Sequence, residues 1–185
     1  MKKTSLIVFA LVVVGTGAYL LTKPARETPP TPVVTTPMAF DGRNTSFTID
    51  GAPVTLVNGV SEIPAAPGSA SKITTRYFGN EATGDLNGDG MPDTAFLISQ
   101  DTGGSGLFYY AVVAVKTTTG YKTTNAFLIG DRIAPQSTFI PLNSQELQVN
   151  FAERKPGEPM TAQPSVGATL LLKVTPAGVL EGLMK

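Results

Sequence analysis

Thr94-Ala95-Phe96-Leu97-Ile98-Ser99 is an apolar, partly β-branched run, and a second apolar run, Leu107 to Val115, follows it closely. Short runs of this kind, without polar alternation, are typical of strands that are buried on both faces. Gly103-Gly104-Ser105-Gly106 lies between them and favours a hairpin tip, because glycine adopts turn conformations without steric cost. We therefore expect a buried strand at 94–99 and a central strand at 107–115, with a hairpin tip between them.

The sequence on either side also predicts strands. Residues 46–50 and 54–57 alternate between polar and apolar side chains around Gly51, which is typical of a hairpin. Further strands are expected at 73–78, 121–129, 146–151 and 169–174. Beyond the N-terminus no segment of ten or more residues has a 3.6-residue period, although a short helix could lie near 65–71 or 133–137. The predicted fold is mainly β, a single antiparallel β-sandwich or open barrel over residues 39–185.

The first 22 residues form a targeting segment. Lys2 and Lys3 precede Leu6 to Leu21, a run of 16 residues without a charge. A cleaved signal peptide would end after Ala18, whereas an uncleaved signal anchor would keep the lysines on the cytoplasmic side. The apolar residues that follow Ala18 favour the anchor, a hydrophobic helix that tethers the protein to the membrane. Either alternative places the remaining chain outside the cytoplasm, in the periplasm, at the cell surface or secreted.

Composition indicates a linker and limits the classes of partner and of covalent attachment that are expected for this protein. Residues 23–38 are rich in proline and threonine and are expected to form an extended linker. Residues 39–185 carry 13 acidic and 10 basic residues, a net charge of −3, and no basic patch, so nucleic acid is not an expected partner. The chain has no Cys, which excludes disulfides and lipid attachment through cysteine.

Residues 85–93 contain the one strong chemical motif, Asp-Leu-Asn-Gly-Asp-Gly-Met-Pro-Asp. Calcium requires six to eight oxygen ligands at about 2.3–2.6 Å, and a short loop supplies them by curling around the ion. The predicted ligands are the side chains of Asp85, Asn87, Asp89 and Asp93 and the backbone carbonyl of Met91. No Lys or Arg lies between Glu81 and Asp101 to neutralise these acids.

The alternative is a polar turn without a metal, because Asn, Asp and Gly dominate turns. Four side-chain ligands in register, together with Gly90, favour the ion. Magnesium prefers a small octahedral shell and retains its waters, and zinc would require the His or Cys ligands that the chain lacks. The loop is not an EF-hand, because position 12 is Phe96 instead of Glu and a strand follows in place of a helix.

Residues 84–95 resemble the calcium loops of FG-GAP repeats, the blades of integrin α-chain propellers, in which the loop also leads directly into a strand. The likeness covers about a dozen residues in a single copy, so it implies an ion and a loop-to-strand geometry without implying a propeller. Dockerin modules are similar over six loop positions but continue into a helix. The block from Ile73 to Pro92 also resembles a family of small, uncharacterised exported bacterial proteins, a likeness that implies no activity.

No catalytic set is apparent. The absence of His and Cys excludes Ser-His-Asp and Cys-His arrangements, and Ser105 lacks the G-x-S-x-G context. We therefore predict a non-enzymatic, envelope-exposed calcium-binding domain with a structural or binding role toward an unknown protein or glycan. The alternative is a hydrolase of envelope polymers that uses two carboxylates outside the loop. A third hypothesis makes the ion a bridge to an anionic or sugar partner.

Overall fold

The computed structural model describes residues 39–183, and their regular structure consists of β-strands without any helix. The strands, in chain order, are β1 Ser46–Ile49, β2 Ala52–Thr55, β3 Val60–Pro64, β4 Lys72–Gly84, β5 Asp93–Asp101, β6 Leu107–Thr117, β7 Gly120–Thr123, β8 Phe127–Asp131, β9 Ala134–Phe139, β10 Glu146–Glu153, β11 Val166–Val174 and β12 Leu180–Gly182. The prediction of a mainly β chain is confirmed.

The strands form three sheets, and every strand pair within them is antiparallel. β1 and β2 form the predicted hairpin. A six-stranded sheet has the order β3-β4-β5-β6-β7, with β8 also paired to β6, and it curls into a half-barrel. A four-stranded sheet has the order β12-β11-β10-β9. As expected, β5 and β6 pair along their length at the centre of the larger sheet.

Each face of β5 and β6 contributes to a different hydrophobic core. Ala95, Leu97 and Val113 belong to a core that also contains Leu147 and Leu172 of the four-stranded sheet. The alternate residues face the β1–β2 hairpin, and that second core contains Phe96, Ile98, Val112, Phe47 and Val54. Because both faces are covered, these strands carry continuous apolar sequence instead of a polar alternation.

The sequence patterns did not indicate β3, β9 or β12, and both suggested helices are wrong. The single strand expected at 121–129 is divided into β7 and β8. β3 and β9 are edge strands that contain Pro64 and Pro135, and proline within a run argues against a strand because it cannot donate to the ladder. β12 has only three residues, too few for a recognisable pattern. The suggested helix near 133–137 is wrong, since most of those residues belong to β9, which hydrogen-bonds to β10. The suggested helix near 65–71 is also wrong, because this segment is a loop.

The predicted membrane anchor (1–22) and linker (23–38) lie outside the described residues. Within residues 39–183, no helix is long and apolar enough to cross a membrane. The tether and the extracytoplasmic location therefore remain predictions.

Candidate metal-binding loop

The acidic loop connects two central strands of the six-stranded sheet. β4 ends at Gly84 and β5 begins at Asp93, and these two residues pair across the ladder at its base. The loop thus leads directly into a strand, as the sequence predicts. Gly88 and Gly90 have φ values of 82° and 81°, a left-handed conformation that glycine adopts without steric cost.

The side chains at loop positions 1, 3 and 5 fold inward onto the loop backbone. Asp85 accepts the backbone N–H of Gly88 on Oδ1 at 2.7 Å and that of Gly90 on Oδ2 at 2.8 Å. Asn87 Oδ1 accepts the Asp89 N–H at 3.0 Å, and Asn87 Nδ2 donates to Asp89 Oδ2 at 2.9 Å. Asp89 Oδ1 accepts the N–H of Met91 at 2.8 Å. Three predicted ligands are therefore within one small, solvent-exposed turn.

Asp93 has a different environment from the other loop acids. Its side chain is completely buried, and its two oxygens accept the backbone N–H groups of Leu86 and Lys116, at 2.9 Å and 2.8 Å. Burial raises the pKa of Asp93, and the negative charges of Asp89 and Asp85 raise it further, although the two N–H groups oppose this shift. In contrast, the N–H of Gly90 is the main cause of the lowered pKa of Asp85.

The loop acids lack cationic partners. Three ion pairs occur among residues 39–183, Lys72–Glu62, Arg132–Asp131 and Lys173–Glu181, and none includes a loop residue. Among residues 39–183, the carboxylates of Asp85 and Asp89 accept hydrogen bonds from loop backbone N–H groups and from the Asn87 amide, and these are neutral donors. A divalent cation would relieve this repulsion more effectively than dipoles can.

Hydrophobic contacts hold the loop in place, although no sequence motif indicated them. Leu86 is 1% exposed and belongs to the core between the two larger sheets. Its position between two polar ligand residues is the sequence signal that could have identified it as an anchor. At the loop entrance Gly84 lies against Ile140, so closely that a Cβ on Gly84 would come within 2.8 Å of Ile140 Cγ2.

Gln145 is a second residue beside the loop that no sequence pattern indicated. A Cβ built on Gly88 would lie 2.5 Å from Gln145 Nε2, so the glutamine side chain covers this part of the loop backbone. Gln145 belongs to the connection between β9 and β10, more than fifty positions away in the chain. No local pattern relates the two residues, and the fold alone brings them together.

The two acidic residues at the ends of the segment 81–101, Glu81 and Asp101, are not part of the loop site. Glu81 accepts a hydrogen bond from the Tyr77 hydroxyl, which, after burial, is the second cause of the raised Tyr77 pKa. Asp101 lies at the far end of β5, roughly 26 Å from Asp93 at about 3.3 Å per residue, and accepts the N–H of Gly103. Of the five acidic residues in segment 81–101, three therefore belong to the loop and two lie outside it.

Within residues 39–183, no three His, Cys, Asp or Glu side chains are placed so that they could hold a metal ion together. The hydrogen bonds explain this arrangement, because Asp93 is directed to Leu86 and Lys116 while Asp85 and Asp89 are directed to loop N–H groups. Filling the predicted coordination shell would therefore require some of these carboxylates to exchange N–H donors for the ion.

Comparison with known proteins gave no match, since no family model, no curated protein and no solved structure is significantly similar to this chain.

Proposed function

We propose that this protein is a non-enzymatic, envelope-exposed β domain, tethered to the membrane by residues 1–22, that binds one Ca²⁺ ion at residues 85–93. The ion holds the loop closed and either stabilises the domain or prepares it for a protein or glycan ligand. The observation that carries the proposal is the convergence of Asp85, Asn87 and Asp89 in one exposed turn that has no cationic partner among residues 39–183.

The other two predicted ligands are compatible with the proposal. Within the described chain no hydrogen-bond donor is directed at the Met91 carbonyl oxygen, so this oxygen is available to an ion. Asp93 uses one lone pair on each oxygen for its two N–H bonds, and a carboxylate oxygen has a second lone pair. Oxygen donors in this combination suit Ca²⁺, and water would complete a shell of six to eight ligands.

The predicted extracytoplasmic location is consistent with the proposal. Extracellular calcium modules work with dissociation constants of roughly 10⁻⁴–10⁻³ M, which abundant external calcium can satisfy. The chain has no disulfides, so an ion that binds only the folded state would supply the stabilisation that disulfides give other exported domains. We further propose that the two larger sheets, which enclose a shared core, classify the fold as a β-sandwich or open barrel.

Isothermal titration of the full-length protein in detergent with CaCl₂ tests the metal site. We expect one site with a dissociation constant of about 10⁻⁴–10⁻³ M and much weaker binding of Mg²⁺. The double variant Asp85→Asn, Asp89→Asn should abolish the signal, because it removes two of the carboxylates that attract the ion.

Asp101→Asn is the matched control. It makes the same chemical change at the other end of β5 and retains an acceptor for the Gly103 N–H. Its calcium isotherm should equal that of the unmodified protein. If millimolar calcium gives no heat of binding, residues 85–93 form only an acidic turn and the proposed function is wrong.

A further inference from the structure

Gln145 lines three neighbouring clefts, two of which include a residue of the acidic loop. One cleft contains Asn87, another contains Asp85, and the third contains Glu146 and Lys173. Their volumes are about 400, 380 and 450 Å³. Each volume is within the size range of small-ligand sites, and the shared residue Gln145 makes the clefts neighbours.

The chemistry of the first cleft limits what it can bind. Asn87 and Gln145 contribute amides, and Thr117, Thr123 and Thr175 contribute hydroxyls. Among residues 39–183, Lys122 contributes the only charged group in the lining, which has neither a carboxylate nor an aromatic ring. Neutral hydrogen-bonding groups around one ammonium complement a ligand that has several hydroxyls and a single negative charge.

Lys122 is available for this role. Its side chain is exposed, and it takes part in none of the ion pairs found within residues 39–183. Its Nζ is 4.0 Å from the position that a Cβ would take on Gly178, another residue of the cleft lining. A single lysine is a point charge that suits a monovalent carboxylate. Phosphate groups are more often held by bidentate Arg or by several cations.

We propose that the cleft between Asn87 and Lys122 binds a uronic acid residue of an acidic polysaccharide, and that the adjoining clefts accommodate neighbouring sugars. The ligand carboxylate pairs with the Lys122 ammonium, and its hydroxyls bond to the threonine and amide side chains. The inference rests on the proposed function in one respect. An ion at residues 85–93 would hold Asn87 in place and add a second positive charge beside the part of the cleft that Asn87 lines.

Fluorescence anisotropy with labelled glucuronate oligomers tests the assignment, using the full-length protein in detergent at saturating calcium. We expect saturable binding of the acidic oligomers, binding at least about tenfold weaker for neutral glucose oligomers, and weaker binding of monomeric glucuronate, which occupies only one cleft. Lys122→Gln should weaken binding of the acidic oligomer about tenfold, the equivalent of one lost charged contact.

Two further variants complete the test. Lys155→Gln removes the same charge from the exposed loop after β10, outside the three clefts, and should leave binding unchanged. Ala177→Phe places a large side chain on an exposed position of the cleft wall and should block binding without unfolding the domain. Equal binding of neutral and acidic oligomers, or binding that Lys122→Gln leaves intact, would overturn the inference.

The calcium titration distinguishes the two proposals. If calcium binds but glucuronate oligomers do not, the cleft assignment is wrong and the metal site stands. If the oligomers bind in a Lys122-dependent manner while calcium gives no heat, the metal site is wrong and the cleft assignment stands without its calcium contribution.

Discussion

The buried carboxylate of Asp93 accepts the backbone N–H of Lys116 at 2.8 Å, which joins the end of the acidic loop to the last part of β6. The same carboxylate accepts the N–H of Leu86 at the start of the loop. One side chain therefore closes the loop on itself and attaches it to the sheet. This arrangement gives Asp93 a structural role whether or not an ion is bound.

We predict that Asp93→Ala lowers the free energy of unfolding by about 2 kcal/mol or more, because two N–H groups lose their acceptor and each buried unsatisfied donor costs about 1–3 kcal/mol. Urea denaturation in the presence of chelator measures the loss. Asp89→Ala, at an exposed loop position, is the comparison and should cost much less. Equal losses for the two variants would contradict the anchoring role of Asp93.

The raised pKa of Asp93 predicts a specific pH dependence. Between the unfolded and folded pKa values the folded state binds more protons, so the contribution of Asp93 to stability falls as the pH rises from about 4. Asp93→Asn removes this titration. The stability of the parent protein relative to Asp93→Asn should therefore decline as the pH rises above about 4 in calcium-free urea melts. Asp85, whose lowered pKa acts with the opposite sign, is common to both proteins.

Calcium should raise the melting temperature by several degrees. A ligand at 100 times its dissociation constant stabilises the folded state by about 2.7 kcal/mol. For a domain of this size, each kcal/mol corresponds to about 2–4 °C. Differential scanning fluorimetry with calcium, with magnesium and with chelator is the measurement. Magnesium should have little effect, and Asp85→Asn, Asp89→Asn should remove the calcium shift.

The close contact between Gly84 and Ile140 predicts that the loop entrance tolerates no added methyl group. Gly84→Ala would place Cβ 2.8 Å from Ile140 Cγ2 and should cost about 1–3 kcal/mol, the usual penalty for overpacking. Gly167→Ala is the control in β11, where no atom lies within 4 Å of the new Cβ. It should be neutral or slightly stabilising, because alanine reduces the entropy of the unfolded chain.

Two leucines near the loop should respond in opposite ways to truncation. Leu86 is 1% exposed and Leu142, in the neighbouring connection between β9 and β10, is 96% exposed. Leu86→Ala should cost about 2–5 kcal/mol through a core cavity and should also weaken calcium binding, because the loop loses its anchor. Leu142→Ala should change stability by no more than about 0.5 kcal/mol. Chemical denaturation and calcium titration of both variants provide the comparison.

Local sequence patterns were sufficient for the central part of the fold. The β1–β2 hairpin and the pairing of β5 with β6 follow from alternation, from continuous apolar runs and from the glycines between them. These features are decided by residues within about ten positions of one another. The edge strands β3 and β9 were not predictable in this way, because proline and polar residues interrupt the alternation of apolar and polar side chains. These segments are strands because they pair with β4 and β10.

By itself the sequence determined a mainly β chain with one acidic, glycine-containing loop leading into a buried strand, because these properties depend on residue types at short spacing. Only the tertiary structure decided that Asp93 is buried, that its carboxylate accepts the N–H of Lys116, and that Gln145 covers Gly88. The physical reason is that burial and hydrogen-bond partners depend on which distant strands pack together. In this protein Lys116 is 23 positions from Asp93 in the chain, a separation longer than any local sequence pattern covers.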